Sequence, residues 1–222
     1  MFASPANACR LALVLAVDVS SSVDAAEDRL QRTGLARALI APDVQAAFFA
    51  SPEPVALFVF EWSGRYNQDD LVPWTLVNSA DDLQRVAATI LQSTRRHDDF
   101  PTAMGYALGH AAVRLTDMPH CLFHKIDIAG DGINNEGFGP QDAYRAFPFQ
   151  GVTVNGLVVQ DFGDENGISP LQFYRDQVIR GPGAFVETAN GFADYETAMR
   201  RKLIREVAVQ VIGGTFAVDQ PG

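Results

Sequence analysis

Three oxygen-bearing side chains occur at alternate positions where the first apolar run of the sequence ends. Leu11–Val17 runs into Asp18, Ser20 and Ser22, which supply a carboxylate and two hydroxyl groups. Hard divalent cations such as Mg2+ prefer oxygen ligands and often retain bound water, and this set of donors leaves room for it. A structural alternative is open at this point, with Ser22 as a helix N-cap and Asp18 as a turn residue.

Two further side chains could join the same site. Asp131 follows the apolar run Ile126–Ala129 and lies between two glycines, which allow the backbone to turn sharply. Thr102 follows Pro101 at the start of a predicted helix. Each has a structural alternative, Thr102 as another helix cap and Asp131 as an ordinary turn residue. Their occurrence together with the first group, all at the ends of predicted elements, favours a divalent-metal site.

Apolar runs of strand length alternate with segments of helical periodicity along the chain. The predicted strands are Leu11–Val17, Val55–Trp62, Leu71–Val77, Leu122–Ala129, Val152–Val159 and Ala184–Thr188. The predicted helices are Val23–Ile40, Asp81–Gln92, Ala103–Leu115, Asp142–Phe147, Pro170–Ile179 and Tyr195–Val211. This alternation predicts an α/β fold with a doubly wound, mostly parallel six-stranded sheet and helices on both faces. In such sheets ligands bind beyond the carboxyl ends of the strands.

The length and composition favour one folded domain. The chain has 222 residues, of which 47% are hydrophobic, and no apolar run approaches the roughly 18 residues that span a bilayer. We expect the domain to occupy residues 9–213, with residues 214–222 as a C-terminal tail. Residues 1–8 contain Ala6-Asn7-Ala8, which has the form of a signal-peptide cleavage site, although the preceding apolar core is missing. They are interpreted as the remnant of an export signal or as a disordered N-terminus.

The charge balance argues against nucleic acids and anionic membranes as partners. The formal net charge is −10, whereas a protein that binds the phosphate backbone is expected to carry clustered lysines and arginines. The two tight basic runs, Arg95-Arg96 and Arg200-Arg201-Lys202, are interpreted as solvated helix faces. An acidic surface is compatible with a cation site.

The spacing of Asp18, Ser20, Ser22, Thr102 and Asp131 resembles the metal-ion-dependent adhesion site (MIDAS) of von Willebrand factor A (VWA) and integrin I domains. The resemblance covers residues 9–212. Within this fold, Leu11–Val23, Glu61–Gly64, Pro73–Thr75 and Ile126–Asn135 are similar to a bacterial group of generally exported A-like domains, the DUF1194 type.

The resemblance implies that the five residues bind Mg2+ or Mn2+, with Ca2+ as a further option. It also implies that an acidic group of a protein partner completes the metal site, so that the module binds and does not catalyse. Two other functions are left open. One is a metal-dependent hydrolase or phosphatase that uses the same acids, although such phosphatases usually carry a second acid where this chain has Ser20. The other is a scaffold whose site is vestigial.

The segment before Thr102 departs from many members of the resembling family. It reads Asp98-Asp99-Phe100-Pro101, where many relatives are rich in glycine. The two acids could repel an acidic partner, bind a second cation or form a solvated loop. The candidates for shaping the binding face are Asn134, Asn135 and Glu136, which follow Asp131.

The resemblance also implies a pairing of the two cysteines. Cys9 lies nine residues before Asp18, and Cys121 lies ten before Asp131. The family's strand order, 3-2-1-4-5-6, makes their strands immediate neighbours, which brings the two residues within the Cα separation of a disulfide. A Cys9–Cys121 disulfide would favour the periplasm or the cell exterior. The alternative is two buried free thiols in a cytosolic protein.

Overall fold

The computed structural model describes residues 9–160 and 167–208. It contains one six-stranded sheet in the order β3-β2-β1-β4-β5-β6. The strands are β1 (Cys9–Asp18), β2 (Val55–Trp62), β3 (Gln68–Val77), β4 (Cys121–Gly130), β5 (Val152–Val159) and β6 (Val186–Ala189). All neighbouring pairs are parallel except β2 and β3, which are antiparallel. The predicted fold class and the strand order implied by the resemblance are confirmed.

Helices cover both faces of the sheet. They are α1 (Ala25–Ile40), α2 (Pro42–Phe48), α3 (Ala80–Gln92), α4 (Met104–Leu115), α5 (Pro140–Ala146), α6 (Pro170–Phe173) and α7 (Tyr195–Val207). Alternate residues of β1 point to opposite faces. Leu13 and Leu15 therefore pack with α1, α3 and α7, whereas Val14 and Ala16 pack with α4 and α5. This two-sided burial explains why β1 is apolar at almost every position.

Two helical segments differ from the prediction. The short helix α2 was not expected; it begins at Pro42, a residue suited to the first helical turn. The helix predicted for residues 170–179 is α6 followed by one π-helical turn, Tyr174–Val178. Tyr174 packs against Gly156 of β5, where a Cβ atom would lie 2.5 Å from the tyrosine ring. The predicted C-terminal boundary of α7, Val211, lies outside the described residues.

The buried face of α1 is more polar than its leucines suggest. Leu35 and Leu39 are buried, but Leu30, five residues before Leu35, is 46% exposed. Asp28 and Arg32 are buried instead and form an ion pair at 2.9 Å. This helix is positioned by polar contacts as well as by apolar packing.

A disulfide links Cys9 of β1 to Cys121 of β4, which are paired in register with a Cα–Cα distance of 4.5 Å. The implied cysteine pairing is therefore confirmed. Within the described residues, no helix is long and apolar enough to cross a bilayer.

Candidate metal centre

The carboxyl end of β1 places Asp18 at the rim of the sheet, between β2 and β4. Its backbone carbonyl accepts a hydrogen bond from Gln31 Nε2 of α1 at 2.8 Å. One carboxylate oxygen, Oδ1, accepts from the Ser20 backbone N–H at 2.7 Å, which stabilises the turn after the strand. The Asp18 side chain is fully buried. Asp18 thus acts partly as the turn residue that the sequence allowed, but only with one of its two oxygens.

A chain of polar contacts joins the three predicted segments. Thr102 Oγ1 donates to Ser20 Oγ at 3.2 Å, and the Ser20 and Ser22 hydroxyl oxygens lie 3.2 Å apart. Ser22 Oγ donates to Asp131 Oδ1 at 2.8 Å. Ser22 is exposed, whereas the other members are buried, so the group opens to solvent at Ser22. We call these four residues, together with Asp18, the oxygen cluster.

The N-cap positions of α1 and α4 are occupied by residues other than Ser22 and Thr102. The N-cap of α1 is Asp24, whose side chain accepts two backbone N–H groups in a capping box. The N-cap position of α4 is Ala103, with no side-chain cap. The cap explanations of Ser22 and Thr102 are therefore wrong, and both hydroxyls point into the oxygen cluster.

The two carboxyl groups of the cluster perturb each other. Burial and the charge of Asp131 raise the pKa of Asp18 well above its ordinary value, although hydrogen bonds from Ser20 and the charge of Arg95 offset part of the rise. Burial and the same two carboxylates also raise the pKa of Tyr174. A divalent cation between the carboxylates would stabilise both as anions. The repulsion between the two carboxylates is thus the feature that a cation would relieve.

The second oxygen of the Asp18 carboxylate is buried. Within the described residues, Asp18 Oδ2 is buried without a hydrogen bond. A Cβ atom at Gly130 would lie 2.7 Å from this oxygen and 2.9 Å from the Tyr174 hydroxyl, so only glycine leaves this space free. A buried carboxylate oxygen without a donor is costly unless something else satisfies it. A metal ion would do so.

Arg95 holds the loop that carries Ser20. Its guanidinium donates to the carbonyls of Val19 and Ser20 at 2.7 and 2.9 Å and to that of Val23 at 2.6 Å. The interpretation of Arg95 as part of a solvated helix face is wrong. The end of α3 at Gln92, which the sequence predicted, already placed Arg95 outside a helix and was the available signal.

The Thr102 segment is fixed to the loop after β4. Thr102 N donates to Asn135 Oδ1 at 2.8 Å, and Asn135 N donates to the Thr102 carbonyl at 3.0 Å. Gly105 N donates to Asn134 Oδ1 at 3.3 Å, and Glu136 forms an ion pair with Arg65 at 3.1 Å. The side chains of the two asparagines therefore hold the Thr102 segment and the start of α4 against the loop after β4.

The donor set is made only of oxygen. Within residues 9–160 and 167–208, no group of three or more His, Cys, Asp or Glu side chains could hold a metal. Any ion at the cluster would depend on two carboxylates assisted by hydroxyl groups and water. Such donors suit Mg2+ and Mn2+.

Comparison with known proteins supports the fold. The chain matches the family described as "Protein of unknown function (DUF1194)" over residues 8–211. Among curated proteins, no sequence matches significantly.

Several solved structures share the fold at low sequence identity. Proximal thread matrix protein 1 from the mussel byssus, with a zinc-occupied MIDAS motif, has 16% identity and a TM-score of 0.65, and the match covers 89% of this chain and 48% of that one. A von Willebrand factor type A protein from Catenulispora acidiphila has 14% identity and a TM-score of 0.62, with 90% and 43% covered. The pilus adhesin SpaC from Lactobacillus rhamnosus GG has 15% identity and a TM-score of 0.66, with 90% and 31% covered. The chain thus spans half or less of each of these proteins, and the similarity establishes a VWA fold.

Proposed function

The chain belongs to the DUF1194 family, and we propose that it is a metal-dependent protein-binding module of the adhesion type. Asp18, Ser20, Ser22, Thr102 and Asp131 would hold Mg2+ or Mn2+, with part of the metal's coordination supplied by water or by a partner. The bound ion would supply a Lewis-acidic positive charge at the rim of the sheet. An acidic group of a partner protein would be attracted to that charge.

The observation that carries this proposal is the unsatisfied oxygen of Asp18 inside a connected cluster. Among the described residues, Asp18 Oδ2 is buried without a hydrogen bond, while the Thr102 hydroxyl donates to Ser20 Oγ and the Ser22 hydroxyl donates to Asp131 Oδ1. The cap roles that would explain those hydroxyls structurally are occupied by other residues. A site for a hard cation accounts for all of these features together.

The open side of the cluster supports a role in binding. Ser22 is exposed, whereas Asp18 and Asp131 are buried beneath it, so that an ion held by these residues could be reached from outside on one side. One structural neighbour is described as a pilus adhesin and another as having a metal-occupied MIDAS motif. Both descriptions are compatible with a carboxylate-bearing protein ligand.

We further propose that the module works outside the cytosol, in the periplasm or beyond. The disulfide between Cys9 and Cys121 supports this placement, because such bonds persist in oxidising compartments. The proposed domain comprises residues 9–213; its two flanking segments, 1–8 and 214–222, lie outside the described residues.

Metal titration of the whole chain tests the proposal. We expect Mg2+ and Mn2+ to bind the wild type in calorimetry and to raise its melting temperature. A concentration about 100 times the Kd adds about 2.7 kcal/mol, which corresponds to roughly 5–10 °C for a domain of this size. Asp18→Asn removes one carboxylate charge without changing side-chain volume and should abolish both effects.

The matched control is Asp117→Asn, the same chemical change at a half-exposed residue whose nearest ion-pair partner is Arg114 at 3.8 Å. This variant should bind metal like the wild type. Equal metal binding by wild type and Asp18→Asn would refute the proposed site.

A further inference from the structure

A basic cleft adjoins the loop that carries the oxygen cluster. Its volume is about 360 Å³, and it lies between α1 and the segment after α3. Its charged lining residues are Arg29, Arg32, Arg95, Arg96, Asp28 and Asp98. Four arginines in one cleft are notable in a chain whose net charge is −10. We call this feature the arginine cleft.

One of these arginines is fully committed within the protein. Arg32 pairs with Asp28 at 2.9 Å and with the buried Glu61, and it also donates to Ser93 Oγ at 2.7 Å. Glu61 in turn accepts from the Arg96 backbone N–H at 3.3 Å. These contacts tie α1 and β2 to the segment after α3, so the floor of the cleft is preformed.

The other arginines keep charge available for a ligand. Among the described residues, Arg29 forms no ion pair and is exposed. Arg96 pairs with Asp69 at 3.3 Å, but its side chain is 69% exposed, and such surface pairs are weak. Within the described part of the chain, the hydrogen bonds of Arg95 go to carbonyl oxygens, and its charge acts on the carboxylates of Asp18 and Asp24 without a direct ion pair. Asp98 is the one acid of the lining outside the Arg32 network.

The cleft and the oxygen cluster share a structural element. Arg95 lines the cleft and donates to the carbonyls of Val19 and Ser20 in the loop between Asp18 and Ser22. Ala25, the first residue of α1, also lines the cleft and follows the same loop directly. A polypeptide with one acidic group at the cluster could therefore continue along the surface into the cleft.

We propose that the arginine cleft is a second docking subsite for an acidic segment of the protein partner, next to the metal. This inference rests on the proposed function, since the same partner would place one carboxylate at the oxygen cluster. The cleft would attract further Asp or Glu side chains of that segment through Arg29 and Arg96. Two neighbouring positive sites would select partners with several acids in sequence over partners with a single acid.

The test uses the full chain and a fluorescein-labelled peptide of six glutamates, with binding followed by fluorescence anisotropy in Mg2+. The variant Arg29→Glu/Arg96→Glu reverses the two available charges and leaves Arg32 and Arg95 in place. Its reference is Arg37→Glu/Arg145→Glu, which changes the net charge equally at exposed positions outside the cleft lining. We expect the cleft variant to bind at least about tenfold more weakly than the reference.

The outcomes separate this inference from the proposed function. If Asp18→Asn keeps full affinity but the cleft variant loses it, the cleft binds acidic peptide, and the proposed role of the metal in binding the partner fails. If affinity needs Mg2+ and Asp18 but is equal in the cleft variant and the reference, the cleft inference is overturned and the metal function stands. Absence of peptide binding by the wild type also overturns the cleft inference, while metal calorimetry still decides the other.

Discussion

Gly130, the last residue of β4, leaves the space in which the carboxylate of Asp18 can lie. A Cβ atom there would lie 2.7 Å from Asp18 Oδ2 and 2.9 Å from the Tyr174 hydroxyl, both shorter than ordinary nonbonded contacts. Both neighbours are buried in close-packed surroundings that leave no free space. A methyl group at residue 130 would therefore overlap with them and displace the Asp18 carboxylate. Asp18 Oδ2 can thus occupy its position because residue 130, in the neighbouring strand β4, has a hydrogen atom in place of a side chain.

Gly130→Ala should therefore impair the metal site more than the fold. We expect a loss of stability of about 1–3 kcal/mol from overpacking, and a Mg2+ affinity lowered at least about tenfold because Asp18 is displaced. Urea denaturation and calorimetry measure the two effects. Gly139→Ala is the control, since no atom of the described part of the chain lies within 4 Å of its added methyl group. Unchanged Mg2+ affinity in Gly130→Ala would contradict this account of the site.

At the scale of elements, buried charges attach α7 to the centre of the sheet. Lys202 Nζ lies 3.0 Å from Asp127 Oδ1 of β4 and 2.7 Å from Glu206 Oε1. Glu206 also accepts two hydrogen bonds from Asn155 of β5 and lies 3.9 Å from Lys125. Asp127, a charged residue inside a buried strand, thus has a cation as its partner.

These groups stabilise one another's charges against the cost of burial. Burial raises the pKa of Asp127 to about 7, and the charge of Lys202 opposes that rise. Burial alone would lower the pKa of Lys202, but Asp127 and Glu206 outweigh it and raise the value. The interpretation of Lys202 as part of a solvated basic run is wrong, because its side chain is fully buried. Removing this one cation leaves two buried acids without their shared partner.

Lys202→Met should accordingly destabilise the protein by about 3–5 kcal/mol, because breaking one side of a buried ion pair leaves uncompensated charge. Thermal or urea unfolding measures the loss. Arg200→Met, on the same helix, removes a half-exposed pair with Asp43 and should cost less than about 1 kcal/mol. Adding Asp127→Asn and Glu206→Gln to Lys202→Met should restore part of the stability. Similar losses in the Lys202 and Arg200 variants would rule out a structural role for the network.

At the scale of the whole molecule, the disulfide and the oxygen cluster lie at opposite ends of one strand. Cys9 begins β1 and Asp18 ends it, which separates them by roughly 30 Å at about 3.3 Å per residue. The bond joins β1 to β4, the two strands whose carboxyl ends carry Asp18 and Asp131. It therefore stabilises the pairing of these strands without touching the site that they carry.

Cys9→Ser/Cys121→Ser should lower the free energy of unfolding by about 4–5 kcal/mol, because the bond closes a loop of 112 residues. Mg2+ affinity of the folded variant should equal that of the wild type. Urea denaturation and calorimetry test the two halves of this prediction. Adding a reductant should destabilise the wild type by a similar amount and leave the variant unchanged. A variant as stable as the wild type would show that the bond contributes nothing.

Local patterns in the sequence predicted much of the fold and of the candidate site. The alternation of apolar runs with segments of helical periodicity predicted the layered α/β fold. The runs indicate strands because a strand that is buried on both faces of a sheet is apolar at almost every position. The alternate spacing of Asp18, Ser20 and Ser22 put three oxygen donors on one turn, and the resemblance to VWA domains supplied the strand order. From that order and the distances of Cys9 and Cys121 to the two acids, the disulfide followed.

Only the tertiary structure decided how these parts are held. Arg95 binds carbonyls more than 70 residues away, and every residue has a carbonyl, so such a contact leaves no sequence pattern. The burial of Lys202 and Arg32 depends on partners from other elements, which periodicity within one helix does not reveal. That no donor among the described residues reaches Asp18 Oδ2 likewise depends on all the groups packed around it. The spacing of residues in the sequence indicates which side chains share one face of a helix or strand. The partner that compensates a buried charge is determined by which residues lie close to it in the folded structure.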